Sequence, residues 1–144
     1  MGLDVSHGAF NGAYSAFNRF RKIVAEAIGG SYPPHKSPLV CSDGDIIVSP
    51  DQNRFYVPGS WKTFQVEQPG ISAFLLSNDC EGEFSPELCK QMADELEAIL
   101  PRIEKLDDGG AGHIERDGGF LAVTKRYIEG CRLAHSENEN LRYY

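Results

Sequence analysis

Residues 71–88 read ISAFLLSNDCEGEFSPEL, and the interpretation of this stretch decides the fold. Ile71 to Leu76 is a nearly continuous apolar run of strand length, suited to a central strand buried on both faces. Ser85-Pro86-Glu87 is the clearest helix start in the chain. It offers an N-cap hydroxyl, a proline whose missing amide is harmless at the first helical position, and a carboxylate at the positive end of the dipole. Leu88, Met92, Leu96, Ile99 and Ile103 continue as a core-facing stripe. Pro101 cannot close its own turn, which predicts a kink or a helix end near Leu100.

Toward lower numbers the same alternation of strand, loop and helix recurs. Leu3-Asp4-Val5-Ser6 alternates as a short strand does, and Gly8 and Gly12 bracket a turn after it. Tyr14, Phe17, Phe20, Val24 and Ile28, joined by Ile23 and Ala27, recur at three and four and predict a helix ended by Gly29-Gly30. Ser31 to Pro38 is a proline-rich connection. Ile46–Ser49 and Arg54–Val57 flank Pro50-Asp51-Gln52-Asn53 and read as a β-hairpin, and Pro58 to Gln68 reads as a loop leading into a short strand.

Toward higher numbers, Asp107 to Gly119 is glycine-rich and reads as a mobile loop. Phe120, Val123, Tyr127 and Cys131 form the buried line of a third helix, Phe120 to Ala134, and Leu141 to Tyr144 reads as an edge strand after the polar turn 135–140. The expected fold is therefore α+β: a single domain with a small mixed sheet of four to six strands packed by three helices.

Composition bounds the function. The chain has 144 residues, 41% hydrophobic and 24% charged, enough to bury one core as a single domain. Fourteen Lys and Arg against 21 Asp and Glu give a formal charge of −7, which opposes nucleic-acid binding, and Arg19, Arg21 and Lys22 read as a solvated helix face. No stretch approaches the roughly 18 apolar residues of a membrane helix, no export signal opens the chain, and the acylation pattern at Gly2 has no basic patch behind it. Cys41, Cys80, Cys89 and Cys131 are scattered and lack C-x-x-C spacing, so reduced thiols in a cytoplasm are expected, without structural zinc.

Two loops carry candidate chemistry. Ser77-Asn78-Asp79-Cys80-Glu81-Gly82-Glu83 packs three carboxylates and a thiol between a strand and a capped helix, where open sheets hold ligands. His7-Gly8-Ala9-Phe10-Asn11-Gly12 likewise follows a strand and precedes a helix. If the two strands are parallel neighbours, both loops share one edge of the sheet. His7, Asn11, Asn78, Asp79 and Cys80 are then the ligand-binding candidates. Asp4, His7, Asp79, Glu81 and Glu83 form a mixed oxygen and imidazole set able to hold a divalent metal. The competing interpretation is bland: turn-forming Asn and Asp, acidic residues at a helix start, and a packing histidine. His35 and His113 read as solvent-exposed, and the carboxylates around Cys80 disfavour a thiolate nucleophile.

The opening Gly2-Leu3-Asp4-Val5-Ser6-His7-Gly8, the run Gly12-Ala13-Tyr14-Ser15, the loop Ser77 to Glu83, Cys89 and the segment Gly130-Cys131-Arg132-Leu133-Ala134 resemble a family of uncharacterised small proteins of bacteria and their phages. The resemblance leaves Ser31 to Gly70 without a match. It implies a bacterial or phage origin and no particular reaction. The leading functional expectation is a noncatalytic binding or accessory protein acting on a protein or small-molecule partner. The rival is a metal-assisted hydrolase using the His7 and Asp79 loops.

Overall fold

The computed structural model describes residues 2–29, 44–48, 54–77 and 81–144. The chain opens with β1 (Gly2–Val5), a single 3-10 turn over Ser6–Gly8, β2 (Phe10–Ala13) and α1 (Tyr14–Ala27). β3 (Gly44–Val48) and β4 (Arg54–Pro58) form the expected antiparallel hairpin, whose turn lies outside the described residues, as does the connection 31–38. Then follow α2 (Trp61–Glu67), α3 (Pro69–Leu75), β5 (Gly82–Phe84), α4 (Pro86–Ala98), α5 (Leu100–Leu106), α6 (His113–Arg116), α7 (Phe120–Ser136) and β6 (Leu141–Tyr143).

The α+β class stands, with corrections to its parts. The main sheet has the order β2-β1-β6-β5, and every strand pairing among the described residues is antiparallel, so the sheet is not mixed. Among the described residues helices outnumber the expected three because Trp61–Glu67 and Pro69–Leu75, in segments expected to include strand, are helical, because the second expected helix is split into α4 and α5, and because α6 forms in the glycine-rich segment. For the second run the physical reason is visible. Ile71, Phe74 and Leu75 are fully buried at the three-and-four spacing of one helix face. Pro69 occupies the first turn, and the Glu95 carboxylate accepts from the amides of Gly70 (2.8 Å) and Ile71 (3.0 Å), satisfying donors a helix start leaves open. An apolar run this short fits a strand or a buried helix equally well. Packing decides: Phe74 meets Phe20 at 5.0 Å and Tyr127 at 5.1 Å between ring centroids, in edge-to-face contacts.

α4 begins as the sequence dictates, with Ser85 Oγ accepting from the Leu88 amide, and the chain breaks at Ile99 so that Pro101 opens α5. Residues 107–119 are organised rather than loose: Asp107 accepts from the amides of Gly109, Phe120 and Leu121, and α6 lies within the segment. His113 is not simply solvated, since its Nδ1 accepts from the Ala13 amide at 3.0 Å on the outer edge of β2. Arg21 is not part of a solvated face. It is fully buried in the α1 stripe between Phe17 and Val24, donating to the Ser77 carbonyl and to Asn18 Oδ1.

The sheet has one apolar and one polar face. Leu3, Val5, Phe10, Leu141 and Tyr143 point into the core, whereas Asp4, Asn11, Glu83 and Arg142 point outward. β6 is not an edge strand but an inner one, seated between β1 and β5. Among the described residues, no helix is long and apolar enough to cross a membrane.

Candidate metal centre

The two-strand hairpin β1–β2 turns through Ser6 to Ala9, and His7 sits there with φ 60° and ψ 20°, followed by Gly8 with φ 70°. A non-glycine residue in the left-handed region is uncommon, although histidine is among the residues that tolerate it best. α7 lies tightly against this turn: a Cβ on Gly130 would come within 2.4 Å of the Ala9 Cβ, so only glycine allows the approach. The turn is thus held by the helix beneath it.

The partners of His7 come from the end of that same helix. Asn138 adopts φ 54°, the Glu139 amide bonds the Ala134 carbonyl at 2.9 Å and the Asn138 amide bonds the His135 carbonyl at 3.1 Å. This is the paired bonding of a Schellman cap with asparagine in the left-handed position. The cap reverses the chain and turns Glu137 and Glu139 back over His7. His7 Nε2 lies 3.0 Å from Glu139 Oε1 and 3.8 Å from Glu137 Oε2. One ligating atom from each of His7, Glu137 and Glu139 falls within 4.8 Å of the others, and among the described residues this is the group of donors placed to share a metal ion.

Ser6 sets the imidazole. Its Oγ accepts from the Arg142 amide at 2.8 Å and lies 2.8 Å from His7 Nδ1. With the hydroxyl donating to Nδ1, the ring carries its proton on Nε2 and donates it to Glu139. When Nε2 instead ligates a metal, Nδ1–H donates to Ser6 Oγ, whose second lone pair remains available. The same hydroxyl therefore serves both states. The carboxylates respond to one another. Glu137 is pushed above the usual range by its shared hydrogen bond and charge repulsion with Glu139, while Glu139 is held below it by that shared bond and by His7. Both are solvent-exposed, so water screens the pair. His7 and Glu139 border an open cleft of about 480 Å³ together with Ser6, Asn138, Asn140, Arg142 and Tyr144.

The structure distributes the sequence candidates differently from expectation. His7 is in the centre. Asp4 faces outward on β1, tied through its backbone to Tyr144 (2.9 and 2.8 Å), and borders another hollow of about 470 Å³ with Asn11 and His113. Asn11 stands opposite Asp4 in the hairpin register. Glu83 accepts from Asn140 Nδ2 (2.9 Å) and Arg142 Nε (3.2 Å), which makes it a cross-strand partner instead of a metal ligand. Glu81 is exposed and precedes Gly82, which pairs with Tyr143, and it is not among the residues grouped with His7 as shared metal donors. Asn78, Asp79 and Cys80 lie outside the described residues. The premise that joined the two loops, a strand at Ile71–Leu76 parallel to β1, is overturned because that run is α3. Sequence reasoning missed Glu137 and Glu139. Their signal was Asn138 between them, a left-handed cap residue directly after the last helical turn.

The core under the cleft is polar in a contained way. Tyr127 Oη and Tyr143 Oη are 2.5 Å apart and fully buried; burial pushes both hydroxyls well above their ordinary value. Cys89 and Cys131 are buried free thiols nearby. In comparisons with known proteins, the chain matches no family model, no curated protein and no solved structure.

Proposed function

We propose that the chain is a noncatalytic binding protein of a bacterial or phage cytoplasm that holds a divalent transition-metal ion at His7, Glu137 and Glu139 and presents it to a protein or small-molecule partner. The observation that carries this reading is the convergence of three ligand atoms within 4.8 Å, two of whose residues, His7 and Glu139, line an open cleft. One imidazole and two carboxylates suit Zn²⁺, Mn²⁺ or Ni²⁺ better than the all-oxygen preference of Mg²⁺ or Ca²⁺. Three protein ligands leave a coordination position open, which a donor atom of the partner fills. The neighbouring polar side chains Glu83, Asn140 and Arg142 are engaged with one another, which favours binding over acid–base chemistry. A charge of −7 argues for a partner other than nucleic acid.

Calorimetric titration of the purified chain with Zn²⁺ and, separately, Mg²⁺ tests the reading. One Zn²⁺ per chain is expected, bound far more tightly than Mg²⁺. His7→Ala and Glu139→Gln should each weaken it by at least about tenfold, and Ser6→Ala, which removes the orienting hydroxyl, by about tenfold. Zinc binding that is indifferent to His7→Ala, or no tighter than that of Mg²⁺, would overturn it.

A further inference from the structure

We propose that the cleft between α1 and the chain running from α5 toward α6 is a second binding site, which takes a small organic monocarboxylate with a compact apolar body. The cleft holds about 290 Å³, close to the lower end of the roughly 300–1,000 Å³ of small-ligand sites, so its ligand is small. It shares no lining residue with the cleft at His7. The walls are tied together at both ends. Arg102 Nη1 donates to the carbonyl of Ala27 at the end of α1 (3.2 Å), and toward the start of that helix Arg19 Nη2 donates to the Ala111 carbonyl (3.2 Å). The rim facing α1 is fixed in turn by Asp108 Oδ1, which accepts from the Gly110 amide at 2.9 Å. The opening is therefore shaped by bonds within the fold.

Its lining is divided by chemistry. Arg19, Lys22, Ile23 and Glu26 recur at three and four along one face of α1. Ile23 and Phe120 are buried, and the large apolar side chain of Leu106 is 43% exposed beside them. The charges at the cleft are uncompensated. Among the described residues Arg19, Lys22 and Glu26 take part in no ion pair, although Lys22 and Glu26 stand one helical turn apart. The Nε–H of Arg19 is buried without an acceptor, so the guanidinium is partly stripped of water with the Ala111 carbonyl as its protein partner. A carboxylate beside Arg19 and Lys22 supplies the counter-charge, and because Arg19 is already held, little side-chain freedom is lost on binding. An apolar body on that carboxylate covers Ile23, Leu106 and Phe120. Glu26 and Asp108 limit the charge: a single negative charge beside two cations is favoured, whereas a phosphate dianion meets two carboxylates over an apolar floor.

Backbone amide shifts of the isotope-labelled full chain, titrated with sodium phenylacetate, test the proposal. Phenylacetamide and inorganic phosphate are the comparisons, at equal ionic strength. Saturable shifts are expected at Lys22, Ile23, Gly110 and Ala111, while the amides of His7 and Glu139 stay in place. Phenylacetate should bind at least about tenfold more tightly than phenylacetamide, which lacks the charge, or phosphate, which lacks the apolar body. Arg19→Gln should weaken phenylacetate by about tenfold. Where that variant loses its dispersed spectrum, Lys22→Gln at an exposed position takes its place, with a loss of about threefold. Leu106→Trp, which fills the opening from a partly exposed position, should abolish the shifts. Phosphate binding as tightly as phenylacetate would reduce the cleft to a cationic patch, and phenylacetamide binding equally well would reduce it to an apolar hollow. Either result overturns the proposal, as do shifts centred outside the cleft, an absence of saturation, or indifference to the charge variants.

Discussion

At the scale of single residues, the chain shows how a polar group is made tolerable by its surroundings. Asp107 is pushed up by burial, but the amides of Leu121, Gly109 and Phe120 outweigh that effect and hold its carboxyl below the usual range. Asp107→Ala leaves two of those donors open at the start of α7 and should cost about 1–2 kcal/mol in urea denaturation. The carboxylate's contribution is present above the unfolded value near 3.9 and is lost as pH falls through the lower folded value, so the wild-type and alanine curves should converge in acid. The buried phenols behave oppositely. Burial raises both Tyr127 and Tyr143, so their stabilisation is full below the unfolded value of about 10 and is lost as pH rises beyond it. Phenolate absorbance from these two should therefore appear only together with unfolding; their titration in the folded state would contradict their burial. Some of this was legible in the sequence. Arg21 stands four residues after Phe17 and three before Val24, inside the apolar stripe, yet charge alone suggested a solvated face. Asn18, one helical turn before it, is a local partner, but the buried Ser77 carbonyl that completes its environment is a tertiary one that no local pattern announces.

At the scale of elements, helices with caps or long periods were read correctly and short apolar segments were not. α1, α4 and α7 each carry several turns of three-and-four spacing, and Ser85 and Pro86 mark a start that local chemistry alone determines. α3 spans only seven residues, too few for period to separate helix from strand, and its helical state is decided by what it packs against. Gly70 shows how closely. A Cβ there would lie 2.5 Å from the Met92 amide nitrogen and 2.7 Å from the Gln91 carbonyl carbon, both backbone atoms of α4. Helix propensity alone would make Gly70→Ala stabilising by up to about 1 kcal/mol. Forcing apart two packed backbones costs about 1–3 kcal/mol and also withdraws the Gly70 and Ile71 amides from Glu95. The clash should win. Denaturant melts are expected to show net destabilisation by Gly70→Ala, and an unchanged or raised midpoint would mean that α3 stands farther from α4 than described.

At the scale of the whole molecule, the order of strands is what the sequence could not disclose, because residues 2–5 and 141–143 meet only across the entire length of the chain. β6 bonds β1 on one side and β5 on the other, so it alone joins the hairpin β1–β2 to β5. The Asn138 cap that leads into β6 turns Glu137 and Glu139 toward His7, a residue 130 or more positions away, which is why the metal centre was as hard to foresee as the sheet. The energetic weight of β6 can be estimated. Deleting residues 141–144 removes the buried side chains of Leu141 and Tyr143, worth about 1.5–3 kcal/mol each. It also strips the Tyr127 hydroxyl of its buried partner, a further loss of about 1–3 kcal/mol. Together these reach roughly 4–9 kcal/mol, comparable with the entire 5–15 kcal/mol by which a domain is usually stable. The truncated chain should therefore lose its cooperative thermal transition by circular dichroism. Tyr144→Ala is the control, because that side chain is largely exposed while its backbone bonds to Asp4 persist, and it should shift stability by no more than about 0.5 kcal/mol. A truncated chain that still melts cooperatively near the wild-type temperature would show that β6 is an accessory to the sheet, and the His7 centre would then have to be assembled by the Asn138 cap alone.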